Sequence, residues 1–96
     1  MKGFTLGLCT LELHIPQSHS LKEKRQVLRG IKSKIKNRFN VVIAEVDALD
    51  RWQYTVLGVT TLSNDQTMVN SVLDQVFTQI AACPEAEIVK HRLEFF

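Results

Sequence analysis

Ninety-six residues set the scale of one domain, and 45% hydrophobic with 23% charged residues excludes a disordered or low-complexity chain. Twelve Lys+Arg against ten Asp+Glu leave a net charge of only +2, which by itself argues against a strongly basic nucleic-acid binder. Two cysteines, Cys9 and Cys83, are too few for a disulfide scaffold or a four-thiolate metal site and are expected as small apolar residues in a reducing compartment.

Residues 3–15 form the first expected strand. Phe4, Leu6 and Leu8 alternate with Thr5 and Gly7, then Leu11, Leu13 and Ile15 alternate with Glu12 and His14. The apolar parity changes near Leu8–Cys9, which calls for either a bulge or a strand covered on both faces. The start, Met1-Lys2-Gly3-Phe4-Thr5, lacks a leader pattern, and no apolar run is long enough to span a bilayer, so the expected location is cytoplasmic. After Pro16, Ser20 and Glu23 make a capping box, and Leu21, Val27, Leu28, Ile31 and Ile35 recur at helical spacing, predicting a helix over 21–38.

Val41 to Val46 is a short β-branched run, hence a second strand, with Val42, Ala44 and Val46 expected to face the helices and Glu45 and Asp47 the solvent. A turn at 47–51 leads to a third strand over 52–62, antiparallel to the second, in which Gly58 marks a bulge or a close contact. Ser63 or Asn64 is expected to cap a second helix over 65–82, with Met68, Val69, Val72, Leu73, Val76, Phe77 and Ile80 as its apolar stripe, ending before Pro84. Residues 86–95 alternate again as a fourth strand. The order β-α-β-β-α-β predicts an α+β ferredoxin-like sandwich: one domain over 1–96, a four-stranded antiparallel sheet and both helices on one face.

The charge is unevenly placed. Residues 21–38 hold eight basic side chains and one acid, Glu23, giving +7, so the remainder carries −5. At 100° per residue, Lys22, Arg25, Arg29, Lys32 and Lys36 fall within about 80° of one another, a continuous stripe with Lys34 and Arg38 at its rim. Like charges so spaced repel by a few tenths of a kcal/mol per pair. An anionic partner, either RNA phosphates or an acidic protein surface, would relieve that cost, whereas a merely solvated face leaves it in place. Lys24 projects onto the apolar face, so it either snorkels past the sheet edge or is held by a carboxylate, with Glu12, Glu45 and Asp47 as candidates.

Glu45, Asp47 and Asp50 form an acidic pole near the second strand, and Glu12 shares a face with His14. Such groups can serve metal binding or acid–base catalysis, but alternate carboxylates on a strand are expected as its solvated side. His14, His19 and His91 lack zinc-ligand spacing, and no Walker A, G-x-S-x-G or G-x-G-x-x-G sequence occurs. No metal, cofactor or catalytic residue is therefore expected.

Leu13-His14-Ile15-Pro16, Ser18-His19-Ser20-Leu21-Lys22-Glu23-Lys24-Arg25, Phe39-Asn40-Val41, Ala44-Glu45-Val46-Asp47, Asp50, Trp52-Gln53, Leu57-Gly58 and Ser63-Asn64-Asp65 together resemble the YlxP-like family of small bacterial proteins, a domain-of-unknown-function family. The resemblance implies a ferredoxin-like fold and a cytoplasmic bacterial protein, in a family often encoded near translation-initiation and ribosome-maturation factors. It carries over no catalytic residues.

Two functions are expected from the surfaces. One is a non-enzymatic accessory role, RNA- or ribosome-associated, through Lys22, Arg25, Arg29, Lys32 and Lys36. The other is a homodimeric interaction module that associates through the open sheet face, with Phe4, Leu6, Leu8, Trp52, Tyr54 and Val56 as its candidates. Trp52 and Tyr54 share a strand face in this reading and cover the sheet rather than stack bases. The third strand does not match the RNA-recognition-motif pattern of sheet aromatics.

Overall fold

A computed structural model describes residues 3–96; Met1 and Lys2, the first two residues of the stretch read for a leader, lie outside the described residues. The elements are β1 (Thr5–His14), α1 (Leu21–Arg38), β2 (Val42–Asp47), β3 (Tyr54–Ser63), α2 (Gln66–Ala81) and β4 (Glu87–Phe95). The sheet order is β2-β3-β1-β4, with every neighbouring pair antiparallel. This is the ferredoxin-like split β-α-β arrangement expected from the order of elements. Among the described residues, no helix is long and apolar enough to cross a membrane.

The core lies between the sheet and the helix layer. Cys9, Leu11, Leu13 and Ile15 from the first strand region, Leu57 and Val59 from β3, and Ile43 from β2 meet Leu28, Ile31 and Ile35 of α1 and Val69, Leu73, Val76 and Ile80 of α2. Each such side chain contributes roughly 1.5–3 kcal/mol by leaving water. Met68, expected in the α2 stripe, is exposed instead, because it lies in the first turn on the flank turned from the sheet.

α1 begins where the capping box places it. The Ser20 hydroxyl accepts from Glu23 N–H at 3.0 Å, so an otherwise unpaired first-turn donor is satisfied. α2 is capped by Asp65, not by Ser63 or Asn64: its carboxylate accepts from Thr67 N–H at 2.9 Å, while the Ser63 hydroxyl accepts from Asp65 N–H at 3.1 Å. A carboxylate at this end also meets the positive pole of the helix.

The parity change in β1 is not a bulge against β3, since that register runs unbroken from Thr5↔Ser63 to His14↔Tyr54. Leu6 and Leu8 sit on the open face while Gly7, Cys9, Leu11 and Leu13 face the helices. A side chain at Gly7 would come within 2.7 Å of Val69 and Leu73, so the glycine lets α2 lie close on the sheet. The β1–β4 register does shift, between Glu12 and Leu13.

β2 presents the face opposite to the one expected. Ile43 is buried and Glu45 half-buried, while Val42, Ala44 and Val46 lie exposed on the open side. Its register against β3 shifts between Glu45 and Asp47, so Glu45 lies opposite the helix-facing Leu57 and Asp47 opposite Val56 on the other face. The two carboxylates therefore do not share a face. Gly58 sits beside this irregularity, 3.2 Å from Val46 if it carried a side chain, which is the close contact its position suggested.

Candidate nucleic-acid interface

The face of α1 that carries the stripe is set by the residues between its members. Leu28, Ile31 and Ile35 are buried against the sheet, which turns Lys22, Arg25, Arg29 and Lys36 outward into solvent and leaves Lys32 half-buried at the border. Lys34 and Arg38 are exposed as well, and the Arg38 guanidinium lies 5.7 Å from the centre of the Phe39 ring. Among the described residues, none of the five stripe cations forms an ion pair. The row from Lys22 to Lys36 extends about 21 Å along the helix axis.

Lys24 behaves in the opposite way. It is 1% exposed, and its ammonium donates to Glu45 Oε2 at 2.8 Å, to Ala48 O at 2.9 Å, to Tyr54 O at 3.3 Å and to Leu49 O at 3.4 Å. Thr55, fully buried, donates its hydroxyl to the same Glu45 oxygen at 2.7 Å. Of the two accounts open for Lys24, the carboxylate partner holds, and the partner is Glu45. This explains the reversed face of β2: a buried ammonium requires an inward acid, and Glu45 is the one that the register delivers.

The cage also shapes the β2–β3 loop. Three of its acceptors are backbone carbonyls of that loop and the start of β3, drawn onto the first turn of α1. Ala48 takes φ 59°, a left-handed conformation that costs a non-glycine residue about 1 kcal/mol and persists where surrounding bonds determine it. On the other side, Gln53 donates to Pro16 O and Ser18 O, both at 3.1 Å, and its carbonyl accepts from Ile15 N–H at 2.8 Å. Sequence reading missed Thr55 and Gln53 as supports; the one available signal was the misfit of Lys24 on an apolar face.

Trp52 does not belong to the sheet. It lies in the bend before β3 and is 56% exposed, since β3 begins only at Tyr54 once Lys24 has captured the loop carbonyls. Of the remaining sheet-face candidates, Leu6, Leu8, Tyr54 and Val56 lie half-buried on the open face, and Phe4, which is exposed, precedes β1. Tyr54 donates its hydroxyl to Glu12, and this bond, with burial a smaller cause, raises the phenol above its ordinary value. The Arg51 guanidinium stacks 4.8 Å above the Tyr54 ring.

The acidic pole is dispersed. Glu45 is engaged by Lys24 and Thr55, Asp47 accepts from Ala48 N–H at 2.8 Å, and Asp50 is exposed in the turn. Among the described residues, no three His, Cys, Asp or Glu side chains gather as metal ligands. A cavity of about 240 Å³ between α2 and β4 is lined by Cys9, Leu73, Asp74, Phe77, His91 and Leu93. Burial, and then the nearby Asp74 carboxylate, push the Cys9 thiol up, which favours its protonated form.

Two comparisons bear on this chain. A family model described as "Protein of unknown function (DUF503)" matches residues 6–93. The curated protein of Bacillus subtilis (strain 168) named "Uncharacterized protein YlxP" is 36% identical over 91 residues, covering 95% of this chain and 99% of that protein.

Proposed function

The chain belongs to the DUF503 family of proteins of unknown function, and we propose that it is a non-enzymatic accessory protein of the cytoplasm that binds RNA, alone or on the ribosome, through the outer flank of α1. One observation carries this reading: five cations stand in a row on one helix and, among the described residues, no acid is paired to any of them. Such a row repels itself by a few tenths of a kcal/mol per pair. A polyanion relieves the repulsion and releases its own counterions on binding. Binding rather than catalysis also suits Glu45, whose carboxylate is already held by Lys24 and Thr55.

Phosphate contacts of this kind position a strand without reading its bases. Five contacts on a single strand give a slope of log affinity against log salt of about −3.5, or roughly a hundredfold loss between about 50 and 200 mM salt. Fluorescence anisotropy with a labelled RNA oligonucleotide measures it. The triple variant Arg25→Glu, Arg29→Glu, Lys32→Glu is expected to bind weakly, with a slope of about −1.4. Equal affinity and slope in the variant remove the stripe from the function.

A second reading rests on the other side of the molecule. Val42 at 66% and Leu62 at 63% exposure lie on the open sheet face with Val46, Leu6 and Leu8. This apolar surface spans β2, β3 and β1 and would be covered in a sheet-to-sheet homodimer. Sedimentation at micromolar concentration tests it: a dimer that Val42→Asp with Leu62→Lys converts to monomer supports it, and a monomeric wild type sinks it. The two surfaces are separate, so both associations are compatible.

A further inference from the structure

Resting on the RNA reading above, we propose that Trp52 is a stacking platform for an unpaired base, so that the protein selects single-stranded over duplex RNA. Trp52 is the only tryptophan of the chain, and it leaves 56% of its surface in water. Among the described residues its indole N–H has no hydrogen-bond partner, and the residue lies outside the buried core.

The segment beneath it, in contrast, is braced on both sides. Lys24 holds the carbonyls of Ala48, Leu49 and Tyr54, and the Arg51 N–H closes a turn onto Ala48 O at 3.1 Å. Gln53, the next residue, is tied to Pro16 and Ser18 through its side chain and to Ile15 through its backbone. An aromatic ring on a preformed loop loses little conformational freedom when it binds, which favours its use as a contact.

The loop is also in the right place. Its anchor, Lys24, sits in the first turn of α1 between Lys22 and Arg25, which open the basic stripe. The loop that carries Trp52 and the exposed Arg51 is thus held at the same end of α1 as the start of the stripe, so a strand that continues past that end can reach it. Stacking on an aromatic face requires a base freed from its neighbours, which a duplex does not offer. It tolerates any base, in keeping with phosphate contacts that read no sequence.

The single tryptophan makes the test direct. Wild type is titrated with an oligouridylate of about 15 nucleotides, a matched duplex and inorganic polyphosphate, following both tryptophan emission and competition against a labelled strand. The single strand is expected to quench emission in step with binding, and polyphosphate to compete without quenching. Trp52→Ala is expected to lose roughly tenfold in affinity for the single strand while keeping the salt slope, with Trp52→Phe restoring most of it. Thermal unfolding confirms that both variants are folded.

If the single strand binds but emission and the Trp52→Ala affinity stay unchanged, the platform is overturned and the stripe survives. Equal affinity for duplex and single strand overturns it as well. If no nucleic acid binds wild type, the RNA reading itself fails. An emission change on dilution without RNA assigns Trp52 to contact with a second copy and overturns the platform.

Discussion

Two sets of cations on one helix meet opposite fates. Lys24 is buried, bonded to a carboxylate and three carbonyls, and fixes where the β2–β3 loop lies. Lys22 and Arg25, next to it on the same turn, are exposed and unpaired, as are Arg29 and Lys36 further along. A satisfied charge is a part of the structure. A row of unpaired ones repels itself, and the proposed RNA contact would relieve that repulsion. Residue type does not separate the two sets; position around the helix does.

The largest effects come from breaking the buried set. Glu45→Leu leaves the Lys24 ammonium buried without its carboxylate, and a loss of about 3–5 kcal/mol is expected in urea unfolding. Adding Lys24→Met is expected to recover part of it, because the uncompensated charge goes as well, leaving the loop carbonyls without their donor. A loss below about 1 kcal/mol in the single variant would put the pair on a par with a surface bridge and erase the contrast.

A smaller loss, about 1–2 kcal/mol, is expected for Thr55→Val, which keeps the shape and removes one bond to Glu45. Alkaline pH acts more gently. Cys9, Cys83 and Tyr54 are all raised, the thiols chiefly by burial and the phenol chiefly by its bond to Glu12. Each keeps its proton longer when folded than unfolded, so their contribution is full below the unfolded values and is lost as pH rises through the folded ones. Stability followed by circular dichroism should thus decline above the ordinary thiol value of 9.0, and Cys9→Ala with Cys83→Ala should flatten the decline.

The smallest stability effect is expected on the stripe, where Arg25 and Arg29 are exposed and Lys32 half-buried, and with the opposite sign. Arg25→Glu, Arg29→Glu, Lys32→Glu relieves like-charge repulsion and should leave stability unchanged or raise it by a few tenths of a kcal/mol, even as the proposed RNA binding is lost. A clear destabilisation would mean that these side chains serve the fold.

Much of the architecture was legible because it rests on local patterns. The limits of α1 follow from the Ser20–Glu23 box and the spacing of Leu28, Ile31 and Ile35, and both match the structure. The stripe was legible for the same reason, since helical spacing alone turns those side chains to one flank. The face of β2 was not. Val42-Ile43-Ala44-Glu45-Val46 alternates ambiguously, and a lone carboxylate suggests solvent unless its partner on another element is known. Trp52 escaped for a related reason: an aromatic beside β-branched residues looks like strand, and the bonds that hold it outside come from Lys24, a residue 28 positions away.

The order of elements, the ends of α1, the uneven charge and the misfit of Lys24 were thus determined by the sequence by itself, through periodicities that repeat within a few residues. Only the tertiary structure decided which acid meets Lys24, which face β2 turns inward and where β3 begins. Those choices depend on desolvating one ammonium, and its cost is met only when groups from distant parts of the chain converge on it.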